Sequence, residues 1–301
     1  MKYRYVRAFL AIVETGSIRT ASRRLGVSQP ALTKTLQELE ALLGASLITR
    51  TAQGSAPTEF GRAFFARAKF IDEELRRAQE EIDQMRGGKD GAVSVGLSPV
   101  ASLLMAAEAL SRFRLSFPNA RVKIADGIFD LQLAGVRQGR FDFAIGGLPP
   151  SALGPDVEAE PLFRNRLAPW VRQDHPLAGA RSLADLTDAD WVFTNDDPNF
   201  LKLVHLHFEH LKLPPPRVAL TCESFPTVLE LIPKTDLVAL FPESLTANPL
   251  VAARMVPIPV EEPPPTTSLS LIKRSGVPLT PVAEHLATHF RRIARRFSRL
   301  G

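Results

Sequence analysis

The 301-residue sequence predicts a chain of three parts: an N-terminal winged helix-turn-helix, a long coiled-coil linker helix, and a C-terminal two-lobed α/β domain. Three observations predict it. Residues 17–43 read as two helices around a glycine turn. Residues 59–85 carry an apolar heptad. From Ala92 on, short apolar strands alternate with helices, the pattern of a mostly parallel α/β sheet. The expected boundaries are 1–58 for the first part, 59–90 for the linker helix and its hinge, and 91–301 for the last.

Val6, Phe9, Leu10 and Val13 recur at helical spacing, so residues 2–15 form a first helix that Gly16 ends. Ser17 caps the second helix and Gly26 stops it in a left-handed conformation. Ser28 caps the third, with Pro30 in the first turn where a missing N–H costs nothing. Leu32, Leu36, Leu39 and Leu43 form its buried stripe. The opposite face carries Gln29, Thr33, Lys34 and Gln37. Amides and hydroxyls bond base edges in a major groove, and a cation meets phosphate, so this helix is the expected reader. An ordinary helical hairpin with a solvated face gives the same local pattern. Leu47 and Ile48 then start a short strand and Gln53-Gly54 a hairpin turn, which makes a wing with Arg50 placed to reach phosphate or the minor groove.

Thr58 caps a long helix. Its Phe64, Ala68, Ile71, Leu75, Ala78, Ile82 and Met85 are spaced alternately four and three apart. A lone helix leaves such a seam uncovered. The expected partner is the same helix of a second copy, with Phe64, Ile71, Leu75 and Ile82 as the dimer contacts. The alternative partner is the chain's own C-terminal domain, but Gly87–Gly91 follows at once and reads as a hinge.

The strands expected beyond it are 92–97, 122–126, 141–147, 190–194, 218–222, 237–241 and 268–272. The helices are those from Ser98, at 130–139, 200–211 and 225–232, and at 281–297. Two lobes follow, lobe I from 91–162 and 267–301, lobe II from 163–266. Ligands of open α/β sheets sit at the carboxyl ends of strands. Here that names Ser98, Gly127, Phe129, Gly146 and Gly147 in lobe I, and Thr194, Asn195, Phe200, Ser224 and Phe225 in lobe II. Ser98 and Thr194 each precede a helix, where backbone N–H groups cradle an anion. Phe129, Phe200 and Phe225 would add aromatic walls, which favours a small aromatic or other organic acid. A plain helix cap explains each hydroxyl as well, and core packing each phenylalanine.

Net charge is +5 and unevenly spread. Residues 1–58 hold eight basic against three acidic side chains, while 87–290 hold eighteen against twenty-two. Basic charge therefore sits with the helix-turn-helix, as nucleic-acid binding requires. The one cysteine, Cys222, rules out a disulfide framework and a two-cysteine redox switch, and suits a reducing cytoplasm. His205, His207 and His210 share a helix but lack a carboxylate–histidine metal motif. No metal, cofactor or catalytic constellation is expected, and no apolar run is long enough to cross a membrane.

The stretch FLAIVETGSIRTASRRLGVSQPALTKTLQELEALLGASLITRT, with TEFG, FDFAIGG and DHPLA further on, resembles the LysR-type transcriptional regulators over essentially the whole chain. GSIRTASRRL, IDEELRRAQEEI and CESFPTVLELIPKTDLVALFPE look most like the branch with regulators of p-aminobenzoyl-glutamate use and p-toluenesulfonate degradation. The resemblance implies a periplasmic-binding-protein-like effector domain, and tetramers built as dimers of dimers. It further implies binding to interrupted palindromes in double-stranded DNA, and RNA polymerase as a further candidate partner. It carries DNA contacts over to Ser17, Ser28, Gln29, Pro30, Thr33, Lys34 and Arg50. Pro57 departs from it, since the family usually has Leu before the linker Thr. The function expected is a regulator whose DNA binding and bending answer to a small effector between the lobes. A non-specific architectural DNA binder and an enzyme built on the α/β lobes are the rivals.

Overall fold

The computed structural model describes residues 1–51, 54–86, 91–127, 129–147 and 153–298. They form two compact units, Met1–Arg86 and Gly87–Gly301. The first contains α1 (Tyr3–Thr15), α2 (Ile18–Leu25), α3 (Gln29–Leu43), β1 (Ile48–Thr51), β2 (Gly54–Pro57) and α4 (Glu59–Met85). Its core is Phe9, Ile12, Ala21, Leu32, Leu36, Leu39 and Leu47 with neighbouring apolar side chains. Leu43, expected in that stripe, is 42% exposed. It lies in the last turn of α3 and is not part of the cluster.

The wing is pinned at both ends. Ser55 N donates to Gly16 O at 2.8 Å. A Cβ on Gly54 would fall 2.5 Å from that same carbonyl, so only glycine lets the hairpin approach the α1–α2 turn this closely. At the other end Thr58 Oγ1 accepts from Gly61 N (3.0 Å) and donates to Ser46 O (2.7 Å). A Cβ on Gly61 would sit 2.1 Å from Leu47 O. The TEFG motif is thus a helix start pressed against the strand before it. Pro57 is the last residue of β2, opposite Ile48.

The second unit holds a nine-stranded sheet. Lobe I contributes β3 (Ala92–Leu97), β4 (Arg121–Asp126) and β5 (Phe143–Gly147). Its helices are α5 (Pro99–Ala101), continued through a π turn (Ser102–Ala106) into α6 (Ala107–Ser116), and α7 (Phe129–Arg137). Then β6 (Val157–Arg172) runs out of lobe I into lobe II, which holds β7 (Asp190–Phe193), α8 (Pro198–His210), β8 (Arg217–Thr221) and α9 (Phe225–Leu231). It continues with β9 (Val238–Pro242), α10 (Pro249–Ala252) and β10 (Met255–Pro257). β11 (Thr266–Arg274) returns to lobe I, and α11 (Pro281–Phe297) closes the chain. The order is β4-β3-β5-β11-β6-β9-β7-β8, with β10 off β6.

The sheet is mixed rather than mostly parallel. β3 pairs parallel with β4 and β5, and β7 with β8 and β9. Every pair made by β6 and β11 is antiparallel, because these strands carry the chain across and back. Strand β6 escapes sequence patterning because two prolines interrupt it. Pro161 sits at a β-bulge against β11, and Pro169 spends only its carbonyl, accepting from Ile258 N at 2.8 Å. Pairing passes from β11 to β9 between Arg166 and Leu167, four residues later than the expected lobe boundary. The DHPLA stretch is a turn held by the buried His175. Its Nδ1 accepts from Leu177 N (3.0 Å) and its Nε2 lies 3.1 Å from Asp236 O.

Candidate functional site

Two regions hold the predicted site residues. In the first unit, α3 buries Leu32, Leu36 and Leu39 and turns Gln29, Pro30, Lys34 and Gln37 to solvent, with Thr33 half-buried beside them. Ser17 Oγ accepts from Thr20 N (3.4 Å) and Ser28 Oγ from Ala31 N (3.3 Å). Both serines therefore open helices whose first N–H groups suit phosphate. Among the described residues, Lys34, Arg19 and Arg23 form no ion pair and are exposed. Arg50 lies in β1 opposite Ser55, and its side chain lies outside the described residues, as does Gln53 of the wing turn.

One residue that sequence reasoning missed anchors the wing. Glu40 Oε1 accepts from Leu47 N (2.7 Å), Ile48 N (3.1 Å) and Ser46 Oγ (3.3 Å), so the reader helix and the wing share one carboxylate. Glu14 plays the same part behind them. Burial would push its carboxyl up, but bonds from Lys69 and from Arg24 (2.8 Å) outweigh that and hold it below the ordinary range. The linker seam divides. Phe64, expected at a dimer contact, packs edge-to-face on Phe9 at 5.2 Å inside its own unit, and Ala68 is buried in the same core. Beyond them Ile71, Leu75, Ile82 and Met85 stay exposed, at 37%, 47%, 57% and 77%.

In the second unit, strand directions bring the other candidates together. β6 runs parallel in sense to β5, since both are antiparallel to β11. The carboxyl ends of β3, β4 and β5 therefore point along β6 toward lobe II. β9 is antiparallel to β6, and β7 and β8 follow β9, so their carboxyl ends point back toward lobe I. This topology makes the strand ends that carry Ser98, Gly127 and Gly147 face those that carry Thr194, Asn195 and Ser224 across a waist. At the crossing itself Asn165, buried on β6, accepts from Ser244 Oγ at 2.8 Å.

Individual candidates fare differently. Ser98 N donates to Ile145 O (2.8 Å) and its Oγ accepts from Ala101 N (3.3 Å), which leaves the hydroxyl proton free to donate. Gly127 is half-buried, and its carbonyl accepts from Gln132 Nε2 (2.9 Å). Gly146 is buried, and a Cβ there would lie 1.9 Å from Gln132 Oε1. Its glycine serves the Gln132 amide, not a ligand, while Gly147 is exposed. Thr194 does not cap a helix. α8 starts at Pro198 with Asp197 as its cap, whose carboxylate accepts from Asn199 N (2.9 Å) and Phe200 N (3.0 Å). That helix terminus is already filled by a negative charge. Asn195 Oδ1 accepts from Asp197 N at 3.1 Å and shapes the turn. The Asp-Pro pair was the missed signal, a common helix start. Phe225 is buried in the lobe II core against Phe241 (5.3 Å), and the half-buried Phe200 packs against Phe193 (5.6 Å) at the edge of that lobe's other cluster. The side chain of Phe129 lies outside the described residues. Ser224 is exposed at the start of α9 and accepts from Thr227 Oγ1 (2.7 Å). Cys222 directly follows β8 and packs against the lobe II core. Among the described residues no three histidine, cysteine or acidic side chains cluster to hold a metal, and no helix is long and apolar enough to cross a membrane.

An exposed amide-bearing reader helix beside a pinned wing, on a chain that also carries two lobes closing on a waist, defines a DNA-binding regulator with a ligand-binding domain. Comparison with known proteins agrees. Residues 3–62 match the bacterial regulatory helix-turn-helix protein, lysR family, and residues 86–295 the LysR substrate binding domain. The chain belongs to the LysR family of transcriptional regulators. It is 27% identical to the HTH-type transcriptional regulator GalR of Pseudomonas putida over 96% of this chain and 73% of that protein. It is 25% identical to the HTH-type transcriptional regulator TdcA of Escherichia coli over 90% and 86%. Among solved structures, full-length CbnR complexed with its target DNA aligns at TM-score 0.69 and 25% identity, covering 97% of this chain and 100% of that one. A full-length OxyR variant from Pseudomonas aeruginosa shares the fold at TM-score 0.71 and 21% identity, over 98% and 97%. These are regulators, not enzymes, and the chain is a transcription regulator that binds DNA and a small-molecule effector.

Proposed function

We propose that two copies pair through the exposed part of the α4 seam and present two α3 helices to an interrupted palindrome in cytoplasmic DNA. The observation that carries this reading is the division of α3 into a buried leucine stripe and an exposed face of Gln29, Pro30, Lys34 and Gln37. In such a complex Gln29 and Gln37 read base edges, and Lys34, Ser17, Ser28 and Arg50 hold phosphate. Thr33 adds a hydroxyl at the groove. Two dimers combine into a tetramer, and RNA polymerase is met by the DNA-bound form. Selection from a random duplex library tests the DNA half. The expected product is two half-sites related by a dyad, and an undivided or sequence-indifferent product would remove this reading in favour of an architectural binder.

The effector is a small organic acid at the waist, with its carboxylate on the lobe I side. Ser98 offers a hydroxyl proton there, whereas Asp197 repels an anion from the start of α8. Binding favours one lobe arrangement and shifts the population of DNA-bound forms, which requires different affinity for the two. A thermal-shift screen against benzoate, aminobenzoates, aryl sulfonates, aminobenzoyl-glutamate and aliphatic dicarboxylates tests it. An acid at a hundred times its Kd raises stability by about 2.7 kcal/mol. Ser98→Ala should abolish the response and Thr194→Ala should leave most of it. The reverse pattern would place the carboxylate in lobe II.

A further inference from the structure

We propose that Asn248 is a positioning residue that ties lobe II to the lobe I helix carrying Ser98, so that the lobe angle and the effector site move together. The helix that Ser98 opens is not regular. Residues Ser102–Ala106 form a π turn, in which bonding shifts to the i→i+5 pattern, a feature concentrated at functional positions. The Leu103 carbonyl in this turn takes a donor from outside the helix, Asn248 Nδ2 of lobe II, at 2.9 Å. The other end of the same amide caps α10, since Oδ1 accepts from Leu250 N (3.0 Å) and Val251 N (3.3 Å). One side chain therefore fixes the start of a lobe II helix and holds the backbone of a lobe I helix.

An apolar contact accompanies the bond. Val100, Leu103 and Leu104 of lobe I pack against the lobe II core around Trp170, Val228 and Phe241. Leu104 packs against the lobe I core as well, so it touches both. Elsewhere, among the described residues, the lobes are joined by β6 and β11 and by the Ser244–Asn165 bond at their crossing. The π-turn contact adds a restraint on the lobe angle away from that crossing. A ligand that draws on Ser98 acts on the same helical run, so a ligand that favours one lobe angle also favours or opposes the Asn248 contact, and losing that contact changes its affinity. That consequence rests on the effector reading given above, but the contact itself can be tested without any effector.

The test separates the two ends of the amide. Asn248→Ser and Asn248→Asp both keep an N-cap acceptor. Serine is too short to reach Leu103 O, and aspartate offers that carbonyl no donor. Leu115 on α6 and Leu206 on α8 are exposed, so spin labels at L115C and L206C in a C222S background report the lobe-to-lobe distance. The full chain is used, diluted with unlabelled protein so that each pair reads one subunit. Both variants should show a shifted or broadened distance distribution, at a melting midpoint below the parent's because the Leu103 carbonyl loses its donor. Asn248→Ala should lower that midpoint further. Distributions that superimpose on the parent in both Asn248→Ser and Asn248→Asp would reduce Asn248 to a helix cap and overturn the proposal. Should the Asn248 variants fail to fold, Leu104→Ala takes their place. It should broaden the distribution in the same way, and a distribution matching the parent would again overturn the proposal. A null effector screen alongside a shifted distance would fault the effector reading alone.

Discussion

The reader unit and the effector unit solve opposite problems with the same chain. In the first, every residue proposed to contact DNA lies between Ser17 and Arg50, on two helices and one hairpin, and the structure only has to keep those elements rigid. It does so with close contacts: Gly54 on Gly16, Gly61 on Leu47, and the Glu40 carboxylate on two wing amides. In the second, the candidate residues come from strand ends spread from Ser98 to Ser224, on two lobes joined by two strands. A unit that reads DNA is built to be stiff, and a unit that reports a ligand is built with a joint.

The largest expected effect tests whether the stiff unit acts in pairs. Leu75→Asp or Ile82→Asp puts a charge on the exposed seam without touching either core. Sedimentation should show the pairing lost, and DNA affinity should fall by about 100-fold or more, the usual gain from joining two weak contacts. Unchanged mass in solution would move the dimer contact elsewhere. Next comes the rigidity of the reader. Gly61→Ala forces a Cβ against Leu47 O and should destabilise the first unit by about 1–3 kcal/mol, read from its thermal midpoint, with the second unit unmoved. Glu40→Ala leaves two wing amides without an acceptor and belongs in the same range. Gln29→Ala should leave stability unchanged and relax sequence preference by about 1–3 kcal/mol at one base pair, measured by competition between operator variants.

The smallest effect is the response to acid, where the two units should part. His289 is pushed below its ordinary value by burial and by His285, Arg292 and Arg112. His207 is lowered by burial and by His210, with Glu262 opposing. A histidine kept neutral by the fold gives stability that is complete above its unfolded value of 6.5 and declines as pH falls below it. Glu14, held down in the first unit, gives stability that is complete above 4.5 and declines only below that. Calorimetry between the two values should show the effector transition falling while the reader transition holds. His289→Gln should flatten that fall, and a parallel fall in both units would dissolve the contrast.

The same contrast explains what the sequence could tell. The caps at Ser17, Ser28 and Thr58 and the glycine stops are local, so the first unit was legible almost residue by residue. Leu43 was misplaced, and the packing of Phe64 on Phe9 was not foreseen, because periodicity says which face a residue takes and not what covers it. In the second unit most strands were readable as apolar runs, but β6 was not, since Pro161 and Pro169 break its pattern. The waist residues depended on topology. Thr194 seemed to head a helix because the start at Asp197-Pro198 was overlooked. Phe200 and Phe225 look alike for core and cleft until their partners are known. Asn248-Pro249 signals a helix start but not the second bond, whose partner is a carbonyl on the other lobe.

Strand β6 has one more consequence. Arg166 pairs with Thr266, and Leu167 N reaches Pro265 O at 2.9 Å, so the two points where the chain leaves and re-enters lobe I are neighbours. Lobe II, from 167 to 265, is therefore a single continuous insert in a hairpin that a short turn would otherwise close. An exchange of this insert for that of a relative would keep both strand joints but would have to match the lobe I residues Val100, Leu103 and Leu104 that its core packs on. A chimera joined at these two points would show whether ligand choice travels with the insert while the operator stays with the reader.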